Sequence, residues 1–191
     1  MRVLQVERRG VKRPRRTYIM PTHSSVKNMP EGFKRTDEET VSNLALLKNR
    51  FKQLKAPFIK AVLLFGSRAR AESRKRSDVD LLVLHKGHDV EDIVVRRRMI
   101  YRIIKEAIGE DFEGLTVIDM DLNDFLKPKE VTPLLLNIYW DARVVYDKTG
   151  KIEDFLKYVR DRIVRSGLRR VRDGKAYYWV LPEPMREVRI L

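Results

Sequence analysis

Hydrophobic positions along this chain follow two spacings, and each change of spacing marks an element. Val41, Leu44, Leu47, Phe51 and Leu54 recur at helical spacing and stop before Pro57, the pattern of a helix that buries one stripe. Just ahead, Thr36-Asp37-Glu38-Glu39 has the form of a capping box, which predicts Thr36 as the N-cap. Two continuous apolar runs follow, Val62-Leu63-Leu64-Phe65 and Leu81-Leu82-Val83-Leu84, and their length suits buried strands. A helix is predicted over 90–108, with Ile93, Ile100, Ile103, Ile104 and Ala107 on its apolar face. Arg96 and Arg97 fall within or beside that arc, which predicts that they snorkel or pair with a carboxylate. Leu115 to Met120 reads as a third strand, and Asn123 is expected to cap a short turn that Pro128 ends. Thr132-Pro133 opens another helix, with proline at the favoured first position. A fourth strand at the sheet edge is predicted over 143–146, and a last helix over 152–164 carries Phe155, Leu156, Val159 and Ile163 on one face. Asp173-Gly174 is a hairpin-turn dipeptide.

Composition narrows the class. With 191 residues, the chain holds one domain with extensions, or one domain and a small second one. We expect a basic flexible arm over 1–35, where Val3 to Val6 is a candidate edge strand. A central domain is expected over 36–150, and a C-terminal helix with a basic-aromatic extension over 151–191. No apolar run is long enough to span a membrane, and no apolar stretch follows the basic N-terminus to make a secretory signal. The chain has no cysteine and three histidines, His23, His85 and His88, which fits a cytoplasmic protein whose metal, if any, is hard and oxygen-bound. A net charge of +14 favours a polyanionic partner. The 36% of charged residues and only two glutamines also fit a thermophile surface. In the C-terminal segment Arg169, Arg170, Arg172 and Lys175 neighbour Tyr177, Tyr178 and Trp179. That mixture serves a single-stranded RNA surface or a hairpin whose aromatics pack on the domain.

The chemistry-bearing stretch lies between the two apolar runs. The first stops at Gly66-Ser67, and ten residues later Asp78-Val79-Asp80 leads into the second. A glycine turn lets backbone amides approach a ligand, and amides at a helix start beside a serine hydroxyl suit phosphate oxygens. Arg68, Arg70, Arg74, Lys75 and Arg76 add cationic reach. On a strand, residues two apart share a face about 6.5–7 Å apart. Asp78 and Asp80 therefore present two carboxylates together, with Val79, Leu81 and Val83 on the other face. Such a pair either bridges divalent cations or consists of solvated residues that balance the nearby cations. A third acid, Asp119, lies inside an apolar strand, where an ionised group is costly unless it faces a polar or metal site. Asp121 has the same parity and is its substitute.

Gly66-Ser67-Arg68-Ala69-Arg70-Ala71-Glu72 followed by Ser77-Asp78-Val79-Asp80-Leu81 resembles the signature of the nucleotidyltransferase superfamily typified by DNA polymerase beta. Within it the likeness is to the minimal nucleotidyltransferases, whose motif runs Gly-Ser-Arg-Ala-Arg-Gly-Glu and then Ser-Asp-x-Asp-Leu. Ala71 stands where glycine is usual, which bears on the shape of the turn, and Arg74-Lys75-Arg76 occupies a loop often more acidic. The resemblance covers roughly residues 58–147. It implies an α+β nucleotidyltransferase fold, a small mixed sheet of four or five strands with helices packed against it. It also implies that Asp78, Asp80 and Asp119 are catalytic and hold two Mg2+ ions, and that Gly66, Ser67, Arg68, Arg70 and Ser77 bind the nucleotide. The implied reaction moves AMP from ATP to an acceptor hydroxyl with release of pyrophosphate. The implied acceptor is a helical partner protein of the HEPN type, which this chain would modify as an antitoxin. The alternatives are a transferase acting on an RNA end or a small molecule, and a nucleotide- or RNA-binding module without catalysis.

Overall fold

The two apolar runs flanking the motif form the centre of the sheet. The computed structural model describes residues 31–73, 77–174, 176–183, 188 and 190–191. Strand β1 (Ile59–Phe65) and strand β2 (Val79–His85) are antiparallel neighbours; β3 (Leu115–Asp121) runs parallel to β2, and β4 (Arg143–Asp147) antiparallel to β1. The order β3-β2-β1-β4 makes a four-stranded mixed sheet among the described residues, with β4 at one edge as its sequence predicts. Because both faces of the central strands are covered, β1 and β2 read as continuous apolar runs rather than as alternation.

Helices pack on each face. On one side lie α1 (Glu31–Phe51) and α3 (Ile93–Ile108), over Val62, Leu64, Val79, Leu81 and Val83. On the other lie α4 (Leu122–Leu126), α5 (Pro133–Asp141) and α6 (Ile152–Arg165), over Ala61, Leu63, Leu82 and Leu84. A one-turn helix, α2 (Gly66–Ala69), sits between β1 and β2, and a hairpin of β5 (Arg169–Asp173) and β6 (Ala176–Val180) follows α6. Tyr139 is fully buried, and its hydroxyl donates to the Phe125 carbonyl at 2.6 Å, joining α5 to α4. Among the described residues no helix is long and apolar enough to cross a membrane.

Several element boundaries differ from the sequence expectation. Helix α1 begins at Glu31, so Thr36 lies inside it and is not an N-cap. The preceding residues include Glu31, Lys34 and Arg35, good helix formers that continue the helix past a local capping pattern. Thr40 takes the buried position in this helix, while Val41 is 67% exposed. Asp92 caps α3 by accepting from the amides of Val94 and Val95, and Ile93 stays exposed. Asp121, not Asn123, caps α4, and Thr132 caps α5 as its sequence predicts. The candidate strand at Val3–Val6 and the basic cluster of the arm lie outside the described residues.

Tyr139→Phe is expected to lower stability by about 1 kcal/mol, because it strands the buried Phe125 carbonyl. Chemical denaturation with an unchanged m-value would show it.

Candidate active site

Pairing of the central strands brings the motif together. Phe65, the last residue of β1, pairs with Asp80 near the start of β2, so the turn leaving one strand meets the acids entering the other. Gly66 has φ +73°, and a Cβ placed on it would lie 2.0 Å from Asp80 Oδ2. Only glycine fits both the backbone and the approach. Gly66 and Ser67 open α2, and the Ser67 carbonyl accepts from the Glu72 amide at 3.0 Å. Ala71, at the position where the resembling motif has glycine, adopts φ +57°. The turn therefore keeps a left-handed residue even with a side chain there, at a cost of about 1 kcal/mol.

Asp78 and Asp80 share a face, because Val79, Leu81 and Val83 are buried in the opposite core. A second glycine serves Asp78: a Cβ on Gly114 would sit 1.8 Å from Asp78 Oδ1, and the Gly114 carbonyl accepts from the Val79 amide at 2.9 Å. Burial raises the Asp80 carboxyl above its ordinary range, and the Asp78 charge raises it further. A hydrogen bond from the Thr116 side chain and the fields of Arg70 and Arg68 oppose that rise. A buried carboxylate beside a second one gains from a bound cation.

Asp119 is not in this constellation. The parallel register sets Asp80 opposite Thr116 and Val83 opposite Asp119, so Asp119 has the wrong parity and projects to the α1/α3 face. There its carboxylate accepts from Arg96 at 3.0 Å and Arg97 at 3.2 Å, and His85 Nε2 lies 3.3 Å away. Burial would raise this carboxyl, but the two arginines and His85 overcome it and hold it below the ordinary value. This is the pairing expected from the placement of Arg96 and Arg97, and it removes Asp119 from the metal-site expectation. Asp121 is occupied as the cap of α4. Among the described residues no three His, Cys, Asp or Glu side chains converge on one point, and Thr116 stands on β3 opposite Asp80.

Of the expected cations, Arg68 and Arg70 are already engaged, and Arg74, Lys75 and Arg76 lie outside the described residues. Arg68 is 6% exposed and donates twice to the Ser77 carbonyl, at 3.0 and 2.7 Å, beneath the Phe112 ring. Arg68 and Ser77 thus clasp the two ends of the connecting loop. Arg70 pairs with Glu72 at 2.9 Å and with Asp141 at 3.2 Å, and it faces the Tyr177 ring at 4.9 Å. Arg170 binds Asp141 through two contacts of 2.6 Å. A hollow of about 170 Å³ opens between these groups, Phe65 and Gly66. A larger cleft, of about 760 Å³, lies between the end of α1 and α3 and holds no motif residue.

The sequence profile of the family described as polymerase beta, nucleotidyltransferase, matches residues 47–151, which span the turn, both aspartates and the whole sheet. This chain belongs to that family. It is therefore a nucleotidyltransferase. A protein of Methanocaldococcus jannaschii named as a protein adenylyltransferase is 28% identical over 130 residues, 68% of this chain and 87% of that one. A nucleotidyltransferase of Sulfolobus solfataricus covers 64% of this chain and 93% of its own length, with 20% identity and a TM-score of 0.42. A toxin-antitoxin structure with AMP-PNP covers 65% of this chain and 90% of its own, with 17% identity and a TM-score of 0.40.

Sequence reasoning missed several residues around the candidate site. Gly114 and Thr116 depend on the register of β3. Asp141, Arg170 and Tyr177 come from distant elements, while Glu72 stood in the motif with nothing local to pair it with Tyr177.

Three outcomes are expected. Ala71→Gly should stabilise the enzyme by about 1 kcal/mol, measured by denaturation, because it relieves the left-handed alanine. Acidification should destabilise it in two phases. Burial, with help from His88 and Arg96 and against Asp119, holds His85 below its ordinary 6.5. The unfolded chain therefore takes that proton first, and stability falls as pH drops through about 6.5. The depressed Asp119 stabilises above its ordinary 3.8, and that share is lost below it. Asp119→Asn should cost about 2 kcal/mol at neutral pH and shrink the second phase in pH-dependent melts, leaving the share of Glu72, which is also held below its ordinary value.

Proposed function

We propose that this nucleotidyltransferase moves AMP from ATP to a hydroxyl of a partner protein and releases pyrophosphate. The observation that carries the reading is the pairing of Phe65 with Asp80, which sets the Gly66-Ser67 turn against two carboxylates. The name of the relative that is 28% identical, a protein adenylyltransferase, supports AMP and a protein acceptor. A helical partner of the HEPN type, modified in an antitoxin role, is the acceptor that the motif resemblance implies. A cysteine-free chain suits a reducing compartment, and we place the reaction in the cytoplasm.

The residues fit Mg2+. Asp78 and Asp80 are hard oxygen donors, each cradled by a glycine, and burial, with the Asp78 charge adding to it, raises the Asp80 carboxyl. They would hold the ion, which when bound neutralises phosphate charge and supports the attacking and leaving oxygens. One ion suits two carboxylates; the second ion expected from three acids would need a ligand other than Asp119. Gly66 and Ser67 would bind the β- and γ-phosphates through the amides that open α2. With the triphosphate held, the acceptor oxygen approaches the α-phosphorus in line. Its new bond forms as the bond to the bridging oxygen breaks, and the hydroxyl proton passes to solvent. The protein's part is positioning and charge compensation.

RNA as acceptor is the competing reading, motivated by the net charge of +14. Tyr177 and Trp179 turn toward the domain, so Tyr178, 47% exposed, is the aromatic of the three left for stacking.

Incubating the protein with labelled ATP, Mg2+ and either a co-purified partner or total RNA separates these readings. Label is expected in the protein, and Asp78→Asn with Asp80→Asn should reduce it by at least ~1,000-fold, as loss of a charge-stabilising site does. Label in RNA alone would refute the protein acceptor, and no transfer to either would refute the reading as a whole. Asp80→Asn should also raise the melting temperature of the metal-free protein, since it removes a buried charge repelled by Asp78.

A further inference from the structure

The hairpin β5–β6 lies outside the segment that matches the family, residues 47–151, yet one face of it forms a wall beside the Gly66 turn. Its register pairs Arg170 with Trp179 and Arg172 with Tyr177, so these four side chains share that face. Besides the Arg170–Asp141 pair, Trp179 fastens it to α5: its Nε1 donates to Asn137 Oδ1 at 3.1 Å, and its ring meets Trp140 edge-on with centroids 5.6 Å apart.

Tyr177 is the hub of the wall. Its hydroxyl donates to Glu72 Oε1 in a short hydrogen bond, while Glu72 Oε2 accepts from Arg70 Nε at 2.9 Å. Its ring lies against the guanidinium of Arg170 at 3.9 Å and that of Arg70 at 4.9 Å. Asp141 braces both arginines from behind, and Arg172 reaches Glu72 at 3.5 Å. Three guanidinium groups therefore surround one ring and are met by two carboxylates, which leaves the wall net positive. The small hollow beside the wall is bounded by Phe65 and Gly66 on the turn side and by Arg70, Arg170 and Tyr177 on the hairpin side. Among the described residues, Arg170 Nε is buried with no hydrogen-bond partner.

We propose that the C-terminal hairpin completes the triphosphate site, with Tyr177 as a positioning residue that aims Arg70 at the phosphate turn through Glu72. The inference rests on the nucleotidyl-transfer reading above. A long arginine beside a glycine turn samples many rotamers, and only one of them directs its donors at a ligand held by that turn. Glu72 fixes the Nε edge, Asp141 the far amino group and the Tyr177 ring the plane, so the guanidinium is oriented before nucleotide arrives. Stacking on an aromatic face suits a weakly hydrated guanidinium without cancelling its charge. A brace serving only stability would need no second guanidinium on the same ring and no net charge facing Gly66. The fold binds the turn and the acids without the hairpin; the hairpin contributes the direction of the cation.

The test uses the full chain with ATP, a non-hydrolysable ATP analogue and AMP as probes. Tyr177→Phe keeps the ring and removes the hydroxyl that holds Glu72. It is expected to weaken analogue binding and raise the KM for ATP roughly 5- to 20-fold, the scale of a disturbed charge-assisted hydrogen bond. AMP binding and kcat should stay within about two-fold, since Arg70 serves the outer phosphates. In an Arg70→Gln background the same change should have no further effect, because the two residues act in series. Tyr178→Ser, on the outer face of the hairpin, should leave both nucleotides unaffected. Unchanged analogue affinity in Tyr177→Phe, or an equal loss with and without Arg70, would overturn the proposal and leave the hairpin a structural role alone. A wild-type protein that binds no triphosphate would instead overturn the nucleotidyl-transfer reading on which it rests.

Discussion

Everything at the active end of this molecule depends on one strand pairing. β1 and β2 run antiparallel with Phe65 opposite Asp80, so the chain leaves the sheet at Gly66 at the level where the acids enter it. The contact is close enough that a single Cβ at Gly66 would overlap the Asp80 carboxylate, and a Cβ at Gly114 would overlap Asp78. Each aspartate thus stands against bare backbone. Burial and mutual repulsion raise the energy of the ionised Asp80 in the free protein. A cation, as proposed for this site, would relieve that cost. The tightly packed faces of β1 and β2, apolar on both sides, keep the register from slipping, because a one-residue shift would drive carboxylates into the core.

Register also decides what the remaining acids do. Asp119 and Thr116 differ by three positions on β3, an odd number, so they face opposite sides of the sheet. From the sequence, an aspartate within Leu115–Met120 announced that it needed a polar partner, and that inference holds. Which partner it finds is a property of the parallel pairing with β2 and of where α3 lies. Arg96 and Arg97, conspicuous in an apolar arc, were the better guide, because a buried charge and its counter-charge must meet somewhere. The Asp119 cluster is thus part of the fold on the face opposite the candidate metal site.

The parts legible in the sequence share a short range. The glycine turn, the ten-residue gap to Asp78, the buried strands and the Thr132 cap each follow from residues within a few positions of one another. At Ala71 the resembling motif's usual glycine bore only on the shape of the turn; the left-handed backbone is read from the structure. Local rules failed where a longer element overrode them: Thr36 has a capping pattern, yet good helix formers on both sides of it carry α1 through. They were silent where contacts span the chain. Glu72 and Tyr177 are 105 residues apart, and no spacing or composition links them.

In the hairpin, alternation decides between the two readings that its charge and aromatic composition allow. Arginines interleaved with Tyr177, Tyr178 and Trp179 suit an exposed nucleic-acid surface, but a two-stranded ribbon has two faces, and alternation divides the residues between them. Arg170, Arg172, Tyr177 and Trp179 go to the inner face, where Glu72, Asp141 and Asn137 take up their donors. Arg169 and Tyr178 remain outside. The cationic character thus has two destinations. The inner share lies beside the Gly66 turn, where Arg170, 11% exposed, is screened little, while Arg172, 46% exposed, keeps its contact with solvent. The outer share is solvated, screened and free to meet an acidic surface. The net charge of +14 therefore sets no single partner, since the cations nearest the turn are those most occupied with orienting one another.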